Sequence, residues 1–135
     1  MRAKSDKARL ARIVIADDEP GLADLLRMVL AGPDREIIVA LDGAGCFRAA
    51  DEERVDVLLM DLNLPDGTAF ELVPKFRGVF GFKETTILLM SGTPLDDLEA
   101  AQFRQLGVEI YHKPVPMRTL KERVDGLLGN GRSAS

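Results

Sequence analysis

The chain has 135 residues, 46% of them hydrophobic and 30% charged, which suits one globular domain with a core of its own. A formal net charge of −4 argues against direct nucleic-acid binding, and no apolar run approaches the roughly 20 residues needed to span a bilayer. A single cysteine, Cys46, excludes an intramolecular disulfide; with no signal-peptide pattern at the start, the expected compartment is the cytoplasm.

Arg2, Lys4, Lys7, Arg9 and Arg12 make the beginning of the chain basic, and residues 1–11 are expected as a solvated tail. A first strand, Arg12 to Ala16 around Ile13-Val14-Ile15, runs into Asp17-Asp18-Glu19. The next helix opens on Pro20, where a missing N–H matters least. Its stripe is Leu22, Leu25, Leu26, Val29 and Leu30, and Gly32-Pro33 stops it. Residues 36–41 read as a second strand. A second helix from Gly43 to about Glu52 packs through Cys46, Phe47 and Ala50.

The third strand is the Val- and Leu-rich run 55–60, apolar enough for burial on both faces, and it ends at Asp61. The turn Leu64-Pro65-Asp66-Gly67 follows. Thr68 and Glu71 have the spacing of a capping box for a third helix, which Pro74 should kink or shorten. Residues 78–83 read as a loop containing Phe80 and Phe82. Residues 86–90 form a fourth buried strand ending in Ser91-Gly92. Leu95, Leu98 and Leu106 mark a fourth helix closed by Gly107. Residues 108–111 give a fifth strand, then His112-Lys113-Pro114. Met117, Leu120, Val124, Leu127 and Leu128 give a last helix, with a tail over 129–135. Strands alternating with helices imply right-handed crossovers and a parallel sheet covered on both faces.

Strand ends of a parallel sheet share one edge, so Asp17, Asp18, Asp61, Ser91 and Lys113 are expected together. Each has an ordinary explanation alone: a helix-capping Asp or Ser, a solvated Lys. Together they point to chemistry. Three converging carboxylates need a cation, and hard oxygens suit Mg2+ or Mn2+ better than zinc. A divalent cation, an ammonium and a hydroxyl around one carboxylate are what a phosphoryl group on Asp61 would require.

Over residues 12–128 the chain resembles a response-regulator receiver domain of two-component phosphorelay signalling. The resemblance rests on residues 14–19 with the acidic pair, 59–67 around Asp61, 88–92 with Ser91, and Lys113-Pro114. It implies a flavodoxin-like (βα)5 fold with strand order 2-1-3-4-5. It implies phosphorylation of Asp61 by a histidine kinase or phosphotransfer protein. It also implies Mg2+ held by Asp18, Asp61 and the backbone carbonyl of Asn63, with Asp17 acting through water. Lys113 and Ser91 would contact the phosphoryl oxygens, while the side chains of Asn63 and Thr93 would tune its lifetime. A downstream protein would read the face of helix 4, strand 5 and helix 5, and the domain would catalyse only its own phosphorylation and dephosphorylation.

The aromatic switch departs from the family pattern. Its usual position, three residues before the Lys, holds Ile110, and Tyr111 lies one residue later. Successive strand residues face opposite sides, so Tyr111 can substitute only through a bulge. Two other functions remain open. A haloacid dehalogenase-like aspartyl-phosphate hydrolase would want a second Asp at position 63, where Asn63 stands. A pseudo-receiver used only for binding would have lost the acidic pair, the acceptor or the Lys, all of which are present. Gly43-Ala44-Gly45 is too short a glycine pattern for a nucleotide loop. With no output domain expected after Leu128, the chain reads as a stand-alone receiver or as part of a longer protein.

Overall fold

The computed structural model describes residues 10–133, with side chains as far as residue 129. Five strands, β1 (Ala11–Ala16), β2 (Arg35–Ala40), β3 (Val57–Asp61), β4 (Thr86–Ser91) and β5 (Val108–His112), make one parallel sheet in the order β2-β1-β3-β4-β5. Between and after them come α1 (Pro20–Leu30), α2 (Gly43–Glu52), α3 (Ala69–Phe76), α4 (Asp97–Gln105) and α5 (Met117–Ser133). This is the flavodoxin-like α/β arrangement and the strand order that the resemblance implies.

Two apolar layers sandwich the sheet, and strand alternation sorts residues between them. Ile13, Ile15, Leu59 and Leu88 pack with Leu26, Leu30, Leu120 and Val124 of α1 and α5. Val14, Leu58, Met60 and Leu89 pack on the other side with Cys46, Leu72, Val73 and Phe76 of α2 and α3. Each fully buried Leu or Ile stabilises by roughly 1.5–3 kcal/mol, so β1, β3 and β4 carry the fold and can hold charges at their ends. Cys46 is core, as expected, and burial pushes its thiol up to about 12.

Several local expectations change. In α1, Leu25 is 44% exposed and Ala23 takes the inward position. In α4 the expected Leu stripe holds only in part: Leu95 and Leu106 pack on the core from either end, but Leu98 is 71% exposed, and the buried residue is Phe103, its ring tilted against Phe70 at 4.8 Å. The reason is the helix start. Asp96 and Glu99 form a reciprocal cap, Glu99 N–H to Asp96 Oδ1 at 2.8 Å and Asp96 N–H to Glu99 Oε1 at 3.0 Å. Leu95 therefore precedes the helix and cannot define its face. Gly107 closes α4 at φ 77°, as the sequence predicts.

Glu71 accepts from the Thr68 N–H at 2.9 Å, and α3 is only eight residues long around Pro74. Residues 80–82 are a 3-10 turn rather than a plain loop, with Phe82 buried against Phe76 and Phe80 exposed. Gly81 is obligatory there, because a Cβ would lie 2.2 Å from the Ala50 carbonyl oxygen. α5 runs on through Ser133, where the sequence predicts a tail from residue 129, because Gly129 continues the helix instead of capping it.

Arg12 has a role that the sequence does not show. Grouped by sequence with the basic start, it is 2% exposed. Its guanidinium donates to the carbonyls of Ala49 at 2.9 Å and Glu53 at 2.5 Å, and meets Glu36 at 3.2 Å. It ties β1 to α2 and β2. Arg2, Lys4, Lys7 and Arg9 lie outside the described residues. Among the described residues no helix is long and apolar enough to cross a membrane.

Candidate functional site

The C-terminal ends of β1, β3, β4 and β5 bring the predicted residues together. Asp17 follows β1 and is 1% exposed, Asp18 beside it is exposed, and Asp61 ends β3 half-buried. One carboxylate oxygen from each of the three lies within 4.8 Å of the others. Lys113, just past β5, places its Nζ 2.9 Å from Asp61 Oδ1. The Lys113-Pro114 peptide bond is cis. Ser91 ends β4 and is buried. Its hydroxyl donates to the Thr93 carbonyl at 2.6 Å and accepts from the Thr93 N–H at 3.2 Å. Asn63 and Thr93 are exposed at the rim.

Ordinary capping does not account for these residues. The residue at the N-cap of α1 is Glu19, and α4 is capped by Asp96, far along the loop from Ser91. Asp17 Oδ1 accepts from the Glu19 N–H at 2.8 Å, but Asp17 Oδ2 is buried with no partner. Burial pushes the Asp17 carboxyl up. The Glu19 N–H opposes that shift, the charge of Asp61 adds to it, and Lys113 opposes it. An orphaned buried carboxylate oxygen costs about 1–3 kcal/mol. Beside two further carboxylates it fits a hard divalent cation, which would satisfy it.

The aromatic near the site does not move into the vacant switch position. β4 and β5 pair without a bulge: Leu89 with Ile110, Met90 with Tyr111, Ser91 with His112. Ile110 packs toward the α2–α3 layer and Tyr111 toward the α1–α5 layer. One contributor was missed from sequence. Asp66, in the turn after Asp61, accepts from the N–H groups of Gly43 at 2.7 Å and Ala44 at 3.0 Å. Its partners are 23 and 22 residues away, so no local pattern reveals the contact.

Known proteins share this fold. The family model described as "Response regulator receiver domain" matches residues 13–125. The chain belongs to the response-regulator receiver family. Among relatives, this receiver is 28% identical over 124 residues to the transcriptional regulatory protein KdpE of Mycobacterium tuberculosis, covering 91% of the chain and 53% of that protein. It is 30% identical over 118 residues to the transcriptional regulatory protein TrcR of the same organism, covering 87% and 45%. The receiver thus spans about half the length of these relatives. Among solved structures, the chemotaxis response regulator CheY4 of Vibrio cholerae superposes with a TM-score of 0.75 at 26% identity, covering 88% of this chain and 99% of that one. The signal receiver domain of a putative Luxo repressor protein from Vibrio parahaemolyticus gives 0.77 at 17% identity, covering 93% and 95%, a likeness of fold alone.

Proposed function

We propose that this receiver is a phosphoryl-accepting switch whose acceptor is Asp61. The observation that carries the reading is the Lys113 Nζ placed 2.9 Å from Asp61 Oδ1, beside two more carboxylates at one sheet edge. Asp18, Asp61 and the Asn63 backbone carbonyl would hold Mg2+ or Mn2+, and Asp17 would act through water. The ion, when bound, offsets the carboxylate repulsion and the negative charge of the incoming phosphoryl group.

An Asp61 carboxylate oxygen attacks the phosphorus of a phosphohistidine on a kinase or phosphotransfer protein. The new P–O bond forms as the P–N bond breaks, and the electron pair leaves with the imidazole, which takes up a proton. Lys113 already stands at the acceptor and shifts its contact to the phosphoryl oxygens. The Ser91 hydroxyl, once released from Thr93, donates to the same group, and the exposed Asn63 and Thr93 side chains set how readily water reaches it. The domain is a substrate of this transfer and turns over no external one.

An apolar groove of about 430 Å³ beside the site, lined by Leu22, Met90, Pro114, Val115 and Met117 next to Lys113, suits docking of the donor. The output would be read on the face of α4, β5 and α5. No feature of the site favours a pseudo-receiver or a hydrolase: the acidic pair, acceptor and Lys are present, and position 63 is Asn. Beryllofluoride tests the reading. With magnesium it should bind the wild type and not Asp61→Ala, whereas equal binding by both would refute the site.

A further inference from the structure

Asn63 lies in a turn that is fixed at both ends. At the base, the Ala69 N–H donates to the Leu62 carbonyl at 2.8 Å, and Leu62 and Leu64 are buried on either side of exposed Asn63. A two-residue antiparallel ribbon pairs Asn63 with Thr68 and Leu64 with Gly67. At the tip is Asp66, whose two oxygens take the N–H groups of Gly43 and Ala44, the first two residues of α2.

The anchor is built from mutually fitting parts. The first N–H groups of a helix lack intrahelical partners and carry the positive end of its dipole, so a carboxylate is favoured there. Asp42 satisfies a different donor of the same helix, the Gly45 N–H at 2.8 Å. A Cβ on Gly43 would come within 2.8 Å of Leu72 Cδ2 and 3.2 Å of Asp66 Oδ1, so Gly43 is what lets the turn approach so closely. The Gly43 N–H holds the Asp66 carboxyl below the usual range against a smaller desolvation, with the Ala44 N–H adding to the effect. Asp66 is not in the group of carboxylates whose oxygens converge on Asp61. Both its oxygens are already committed to N–H groups.

We infer that Asp66 is a positioning residue for the metal site: by bolting the tip of the 62–69 turn to the N-terminus of α2, it holds the backbone of Asn63 where the ion needs it. This rests on the proposed use of the Asn63 carbonyl. Asp42 supplies the control, because it caps the same helix without touching the turn.

Magnesium titrations of the full chain by calorimetry, with thermal melts of the metal-free proteins, test it. Asp66→Ala should weaken magnesium binding roughly tenfold, as loss of a group supporting a ligand commonly does. Asp66→Asn, which keeps one oxygen acceptor, should fall between. Asp42→Ala should lower the melting temperature at least as much as Asp66→Ala yet leave magnesium affinity within about twofold of wild type, since it removes only a cap. Wild-type affinity in both Asp66 variants, or equal weakening by Asp42→Ala and Asp66→Ala, would overturn the inference. A wild type that binds no magnesium, or an Asp18→Ala variant that binds it normally, would instead overturn the metal site itself, and Asp66 with it.

Discussion

Tyr111 on β5 donates its hydroxyl to Glu109 Oε1 at 3.0 Å, and Arg123 of α5 holds the same carboxylate, with its Nε at 2.9 Å. Burial, and then this acceptor, push the Tyr111 phenol above its ordinary value of 10. Arg123, and then Tyr111, hold the Glu109 carboxyl below its own. The signs follow. The raised phenol gives stability that is complete below pH 10 and lost as pH rises through the raised value. The lowered carboxyl gives stability that is present above the ordinary carboxylate range and lost as pH falls through the lowered one.

Tyr111 is the single tyrosine in a chain without tryptophan, so tyrosinate absorbance reads it alone. Its titration midpoint should lie above 10 in the wild type. In Glu109→Gln it should fall part of the way back, because burial remains. A midpoint at or below 10 in the wild type would mean that the ring is not held as described.

The loop after β4 should move more than β5 on phosphorylation. The Ser91 hydroxyl is now spent on the Thr93 backbone, a neutral contact, and phosphoryl oxygens offer a charge-assisted one about twice as strong. Ile110 has no ring to follow Ser91, and Tyr111 is tied to Glu109 on the opposite layer. Amide NMR shifts with and without beryllofluoride should be larger over residues 91–95 than over 110–112, and Ser91→Ala should shrink the former. Equal shifts in both segments would show β5 taking part.

Arg12 should matter to stability through its two carbonyl acceptors rather than its acidic neighbours. Glu36, Glu52 and Glu53 are about half or more exposed, where ion pairs contribute about 0–1 kcal/mol. Losing the guanidinium removes two charge-assisted hydrogen bonds, one to the Ala49 carbonyl that the Glu53 N–H also meets and one to the Glu53 carbonyl. Arg12→Met should therefore cost about 2 kcal/mol or more in urea unfolding, against less than about 1 kcal/mol for Glu36→Ala. Equal losses would assign the effect to charge.

The parallel sheet and the residues at its edge were legible because each rests on local signals, whereas the strand order came only with the family resemblance. Buried strands read as Val/Leu runs, and Asp61 and Lys113 stand where those runs stop. Sequence left open whether a bulge lets Tyr111 substitute, and the unbroken β4–β5 register decides against it. What was not legible came from distant partners. Arg12 read as one more basic residue at the edge of the first strand until Ala49 and Glu53 supplied its acceptors. Asp66 looked like a turn residue until Gly43 and Ala44 came beside it. Leu98 misled for a different reason: a stripe counted from Leu95 ignores that Asp96 starts the helix, and Phe103 then sets the buried side.

The central claim is that Asp61 alone accepts the phosphoryl group. Incubation with acetyl phosphate and magnesium, read by intact-protein mass, should add one phosphate to the wild type, labile at alkaline pH as an acyl phosphate is. Asp61→Asn should add none. Phosphate incorporation in Asp61→Asn at the wild-type level would contradict the account.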